Sequence, residues 1–251
     1  MIPLHDDNPT SRPAVITALL CLACAAVYFF VQPTPLARGS KDVSFELRHA
    51  VIPIEVRDHR PLTICEVARS YSSPATAVGT CAGPSGSLPY AKGKNVLLAI
   101  VTSMFLHGSI EHLLGNLLFL WIFGNNVEDD LGRIRYLGFY IVSGIIATLA
   151  YVVVSPASST TLVGASGAIA GVMGAYLVWF ARAPIRSLII IVPVRLPAWF
   201  LLAFWFVLQF FTGSDSQVAW VAHVAGFVFG VVAGLLLRSH RPRSVALRRQ
   251  G

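Results

Sequence analysis

Ser166 stands alone among small residues in Gly164-Ala165-Ser166-Gly167-Ala168-Ile169-Ala170-Gly171, and His223 lies in a second apolar stretch far along the chain. A serine hydroxyl is a weak nucleophile at neutral pH until a base takes its proton, and an imidazole is the usual base. His112 and Asn116 are four residues apart, so they share one face of a helix. With the backbone N–H of Ser166 they would supply donors for the oxyanion of a tetrahedral intermediate. The chemistry these residue types suit is acyl transfer. Packing is the plainer reading of the glycines: Gly167, Gly171 and Gly174 fall on one arc, and small residues at this spacing let membrane helices approach closely. That reading leaves the serine unexplained.

The elements that must position these groups are membrane helices. Of 251 residues, 55% are hydrophobic and only 12% charged, against about a quarter charged in a soluble domain. The net charge of +7 does not mark nucleic-acid binding, because no basic stripe sits on a polar helix or an aromatic platform. The basic residues fall between apolar runs, where they encode orientation. Those runs are Pro13 to Val31, Ile110 to Phe123, Tyr136 to Val154, Ala165 to Ala181, Pro197 to Phe211 and Val218 to Leu237. They predict an all-α membrane protein, a bundle of six transmembrane helices. Several are shorter than the roughly 20 residues a perpendicular crossing needs, which implies a thinned bilayer or helix ends buried in protein. The first run reads as a retained helix rather than a signal peptide, since Asp6 and Asp7 precede it and no small-residue cleavage site follows.

Arg133 and Arg135 lie between the second and third runs, and Arg182, Arg186 and Arg195 between the fourth and fifth. The segments 155–163 and 212–217 have neither Lys nor Arg. This alternation predicts that both termini are cytoplasmic. The expected organisation is a cytoplasmic segment 1–12, a membrane domain 13–237 and a basic cytoplasmic tail 238–251. Residues 32–94 form a long extracytoplasmic loop. Its eight Lys and Arg residues carry little topological weight in a loop of about 60 residues. Pro, Ser and Gly near residues 70 to 90 predict a mobile segment there. Cys65 and Cys81 lie on the oxidising side and are candidates for a disulfide, whereas Cys21 and Cys24 read as apolar filling. Glu128, Asp129 and Asp130 with Arg133 and Arg135 read as an inner-face charge cluster, Asp129 and Arg133 being an i,i+4 pair.

In that orientation the second, fourth and sixth helices run inward from the outer face. Each carries its unusual polar groups near its outer end: His107, Glu111, His112 and Asn116; Ser166; and His223, five residues in from Val218 and so about 8 Å deep. His223, Gly226, Gly230 and Gly234 fall within about 80° on the sixth helix. Pressed against the glycine face of the fourth, they would bring His223 to Ser166. Ionisable side chains are costly in hydrocarbon and normally face the bundle interior at a working site. Glu111 suits a helix N-terminus and reads as structural. No acidic residue has a position to orient His223, so a dyad is expected.

On these residues the chain resembles the rhomboid intramembrane serine proteases. The matching pieces are Gly164-x-Ser166-Gly167, His112-x-x-x-Asn116 after His107, and Ala222-His223-x-x-Gly226, with Gly124, Glu128 and Gly132 at the inner end of the second helix. They span about residues 95 to 237 in the family's order. The resemblance implies a six-helix core in which Ser166 is the nucleophile, His223 the general base, and His112 and Asn116 the oxyanion donors. It implies no cofactor. It also implies a serine endopeptidase that cuts single-pass membrane proteins near the outer face of a bilayer, here expected to be a bacterial plasma membrane. Two positions depart from the pattern: Leu98-Ala99 replaces a Trp-Arg pair ahead of the second helix, and Ala170 replaces an aromatic that stacks on the histidine in some bacterial members.

Two other function classes bear on the same residues. A non-catalytic escort of membrane helices would usually lack the serine or the histidine, and both are present. A channel or transporter would show repeated halves and polar groups near the midplane, which this sequence does not. His112 and His223 lack companions at metal-ligand spacing.

Overall fold

The computed structural model describes residues 2–33, 43–211 and 219–237. The tail 238–251 and the connection 212–217 lie outside them. The order of elements is β1 (Ile2–Asp6), α1 (Val15–Ala26, continued by a π-turn to Val31), α2 (Val43–His49), α3 (Pro53–Asp58), α4 (Ile64–Tyr71) and α5 (Pro74–Ala82). Then come α6 (Val96–Thr102), α7 (Ile110–Leu131), α8 (Arg133–Val154), α9 (Ser166–Phe180), β2 (Pro184–Ile189), β3 (Val192–Pro197), α10 (Ala198–Gln209) and α11 (Trp220–Leu237).

Helices α8 and α11 are long and apolar enough to cross a membrane, and α6 with α7, bent by 79°, passes the same test as a pair. Val15–Val31, α9 and α10 are shorter apolar helices. The apolar runs are helical as expected, and the protein is an integral membrane protein. At the centre stands α9, packed on α11, α8 and α7. It is apolar all round, which suits a helix enclosed by others: Ala170, Gly171, Ala175 and Tyr176 are fully or almost fully enclosed. The glycine faces of α9 and α11 meet. A Cβ at Gly226 would overlap the carbonyl of Gly167, and one at Gly230 the carbonyl of Gly171. Backbone contact of this kind is available only to glycine.

The fold is not all-α. β1 pairs antiparallel with β2, and β2 with β3, in a three-stranded sheet. Residues Leu188 to Val194, an apolar segment outside the six apolar runs, form the tip of the β2–β3 hairpin, with the turn at Ile190 and Ile191. Segment 1–12 is therefore no free tail. Asp6, 5% exposed, accepts hydrogen bonds from Tyr176 Oη and Asn126 Nδ2, both at 2.6 Å. Glu128 accepts from the backbone of Ile16 and Thr17 at 2.9 and 2.8 Å and from the Thr17 hydroxyl at 2.8 Å. It thereby satisfies orphan donors at the start of α1. Asp129 binds Ser11 in the same way. Glu128 of the expected charge cluster is thus a helix-capping acceptor and Asp129 an anchor for the segment before α1, and among the described residues Asp129 and Arg133 form no ion pair.

The described part of the expected long loop is folded. From residue 43 to 94 it folds into α2 to α5 over a small core of Leu47, Ile52, Leu62 and Val67. Thr63 and Glu66 form a capping box on α4, and Ser73 caps α5 with Pro74 in its first turn. Within segment 70–90, Pro74–Ala82 is helical, its Ser73 cap overriding the local Pro/Ser/Gly composition, and 83–90 is a run of turns. Cys65 and Cys81 form a disulfide. Lys94, its side chain 3% exposed, donates to Glu55 at 2.6 Å and to the Leu47 carbonyl at 2.9 Å, and Glu55 also accepts from Leu62 N at 2.8 Å. Burial lowers the Lys94 pKa, the bond to Glu55 opposing that shift. This cap is sewn to the segment 158–162 that leads into α9: Ile54 N donates to Ser158 O (3.1 Å), and Leu162 N to Val51 O (2.9 Å).

Candidate active site

Ser166 is the first residue of α9. The turn before it requires Gly164, whose φ of +122° is unsuited to an L side chain and where a Cβ would lie 2.7 Å from the His112 ring. Gly164 N donates to Ser103 O at 2.9 Å, tying the turn to the end of α6. His223 lies in the first turn of α11, and the α9–α11 contact brings its Nε2 to 2.7 Å from Ser166 Oγ. The two side chains predicted to meet do so.

Sequence reasoning missed what holds the histidine. Gln209, the last residue of α10 and 6% exposed, has its Oε1 2.7 Å from His223 Nδ1. Its Nε2 donates to the Trp205 carbonyl at 3.0 Å. That second bond fixes the amide, because only nitrogen can donate to a carbonyl. Oε1 is then an acceptor, so Nδ1 of His223 carries the hydrogen and Nε2 of the neutral ring presents a lone pair to Ser166. The ring of Trp205 lies against that of His223, with centroids 5.9 Å apart and planes tilted by 37°. An aromatic at Ala170 has no room: Ala170 is fully buried, and its Cβ faces Gly226 across the interface. The aromatic neighbour comes from α10 instead. A lone glutamine closing a twelve-residue apolar helix was the available signal.

His112 and Asn116 lie one turn apart on α7, which starts at a Ser109 cap accepting from His112 N at 3.2 Å. His112 borders Gly164, and Asn116 Nδ2 is a buried donor with no partner among the described residues. Unsatisfied buried amides are uncommon and call for an explanation; this one borders the same cavity as the serine. His107, 1% exposed, packs behind His112 with ring centroids 5.2 Å apart. Gln32 clamps the His107 backbone, accepting from N at 2.9 Å and donating to O at 3.0 Å. A cavity of about 650 Å³ joins Ser166, His223, His112 and Asn116 and runs up to Glu46 and Tyr71 of the cap. At the position of the missing Trp-Arg pair, Leu98 is exposed and Ala99 buried; the chain there is held by the Lys94–Glu55 pair.

A hydroxyl on an oriented imidazole, with an unspent amide donor across the cavity, is equipped for nucleophilic attack on a carbonyl. Sequence comparisons show the family. The Rhomboid domain model matches residues 94–240, more than half of the chain, and the chain belongs to the rhomboid family. It is 32% identical over 132 residues to the rhomboid protease GlpG of Yersinia pestis (strain Pestoides F), covering 53% of this chain and 45% of that one. To RHOMBOID-like protein 5 of Arabidopsis thaliana it is 28% identical over 138 residues, 55% of this chain and 43% of the other. The chain spans less than half the length of these curated relatives.

Proposed function

We propose that this protein is an intramembrane serine endopeptidase that hydrolyses peptide bonds in single-pass membrane proteins. The observation that carries the reading is the 2.7 Å contact between Ser166 Oγ and His223 Nε2, in the tautomer that Gln209 selects. Ser166 Oγ attacks the scissile carbonyl carbon while its proton passes to His223 Nε2. The oxyanion accepts from Asn116 Nδ2, the His112 imidazole and the Ser166 backbone N–H. Collapse breaks the C–N bond, the leaving amine takes the proton from His223, and an acyl-enzyme on Ser166 remains. Water, deprotonated by His223, then releases the acid. Gln209 holds the ring through both half-reactions without touching substrate.

Six apolar segments support six crossings: Val15–Val31, the bent α6–α7 pair, α8, α9, α10 and α11. The alternation of Lys and Arg between them favours cytoplasmic termini and a site open to the extracytoplasmic side of a bacterial plasma membrane. The domain then runs over 13–237, its outer loop folded as the cap. A substrate bond inside a regular helix is shielded by its own hydrogen bonds, so substrates with Gly, Ser or Pro near the cut are favoured. Labelling by a fluorophosphonate tests the reading: the parent should label and cleave a membrane-helix substrate, and Ser166→Ala should do neither. Equal cleavage by parent and Ser166→Ala would overturn it.

A further inference from the structure

The cap contributes to the cavity that holds Ser166, and its contribution is acidic. Glu46 of α2 is 8% exposed and lines the cavity. It accepts from the Thr161 hydroxyl at 2.7 Å. Among the described residues no Lys or Arg lies within ion-pair distance of it, whereas the other buried cap acid, Glu55, is neutralised by Lys94. The cavity's remaining carboxylate is Glu111, exposed at the start of α7, and no described Lys or Arg lines it. An enclosed carboxylate with a single neutral donor is short of stabilisation, and a cationic partner is what such a group binds most strongly.

Its placement relative to the chemistry follows from Thr161, which is five residues before Ser166 along the segment bordering the cavity. Five residues of extended chain cover at most about 17 Å. That segment is held in place by the cap, since Tyr71 Oη donates to Ser159 O at 2.8 Å in addition to the bonds from Ile54 and Leu162. We infer that Glu46 forms a subsite for a Lys or Arg side chain of the substrate, within about five residues of the bond that is cut. The inference rests on the protease reading above. It gives the cap a role in choosing substrates: the acid selects membrane proteins with a basic residue where their helix leaves the bilayer.

The test uses the full chain in vesicles of neutral phosphatidylcholine. Single-pass substrates would carry Lys, Ala or Glu at each of five positions on either side of the cut. The parent should cleave one Lys substrate about tenfold faster than its Glu counterpart. Glu46→Gln, which keeps an acceptor for Thr161, should reduce that ratio to about twofold, and Glu46→Lys should invert it. A parent that ignores charge at all ten positions overturns the subsite, as does a ratio that survives both substitutions. In either case, cleavage that disappears in Ser166→Ala would leave the protease reading standing. Absence of any Ser166-dependent cleavage would remove both.

Discussion

Gln209 and His223 are joined by a 2.7 Å hydrogen bond from the ring Nδ1–H to the amide oxygen, and the amide is itself anchored on the Trp205 carbonyl. The proposed base is thus oriented by a neutral acceptor rather than by a carboxylate. Truncation in Gln209→Ala frees the ring to rotate and to exchange tautomers. The expected result is a fall in kcat of roughly tenfold, the worth of one good hydrogen bond, with little change in KM. Gln209→Glu keeps an acceptor for Nδ1–H but loses the donor to the Trp205 carbonyl, so it should recover only part of the rate. Steady-state kinetics on the three proteins decide the point, and an undiminished kcat in Gln209→Ala would remove the orienting role.

Asn116 offers a separation of activity from stability. Its Nδ2 is buried and without a partner among the described residues, so deleting it relieves a desolvated donor. Asn116→Ala should lower kcat by about a hundredfold, the usual effect of one oxyanion donor. Its melting temperature in detergent should equal or exceed that of the parent. A drop of several degrees would instead make Asn116 a packing residue.

The α9–α11 contact predicts a sharp contrast among glycines. A Cβ at Gly230 meets the Gly171 backbone, whereas one at Gly138 on α8 meets nothing within 4 Å. Gly230→Ala must push the two helices apart, so both the melting temperature and Ser166 labelling should fall. Gly138→Ala should be neutral or stabilising by up to about 1 kcal/mol. Equal melting temperatures for the two variants would show that the interface yields without cost.

The buried pair in the cap predicts an asymmetry. Lys94→Met leaves the Glu55 carboxylate enclosed without its cation and should destabilise the cap by about 3–5 kcal/mol. Adding Glu55→Leu should restore part of that loss. Protease resistance of residues 43–94 would report both effects.

Acid should loosen the same cap through Glu66. The Arg60 guanidinium, bonded at 2.7 Å, with help from the Thr63 cap, holds the Glu66 carboxyl down at about 2. A depressed carboxylate stabilises fully above its ordinary value of 4.5 and loses that contribution as pH falls toward 2. Pepsin cleavage within residues 60–82 should therefore accelerate across this window in the parent. In Glu66→Gln it should be faster from the outset and nearly flat with respect to Glu66. Identical pH profiles would mean the pair contributes nothing to the cap.

Much of the candidate site was legible because hydrocarbon makes polarity expensive. A serine, two histidines and an asparagine in apolar helices stand out, and 3.6-residue periodicity places them with the glycines that bring α9 and α11 together. Local signals for the cap are also present, Thr63-x-x-Glu66 and Ser73-Pro74 among them, within a Pro/Ser/Gly-rich composition that points the other way. The strands β2 and β3 were hidden because an apolar run of seven residues, Leu188 to Val194, has no period that separates strand from membrane helix.

By itself the sequence determined which residues are candidates for the chemistry and which helix faces must touch, since both follow from the cost of burying polar groups and the space a missing Cβ leaves. Only the tertiary structure decided that Gln209 turns His223 toward Ser166, that Asp6 plugs into α7 and α9, and that Glu46 hangs over the cavity. Those relationships join residues from separate elements through single hydrogen bonds, and a one-dimensional pattern has no period on which to record them.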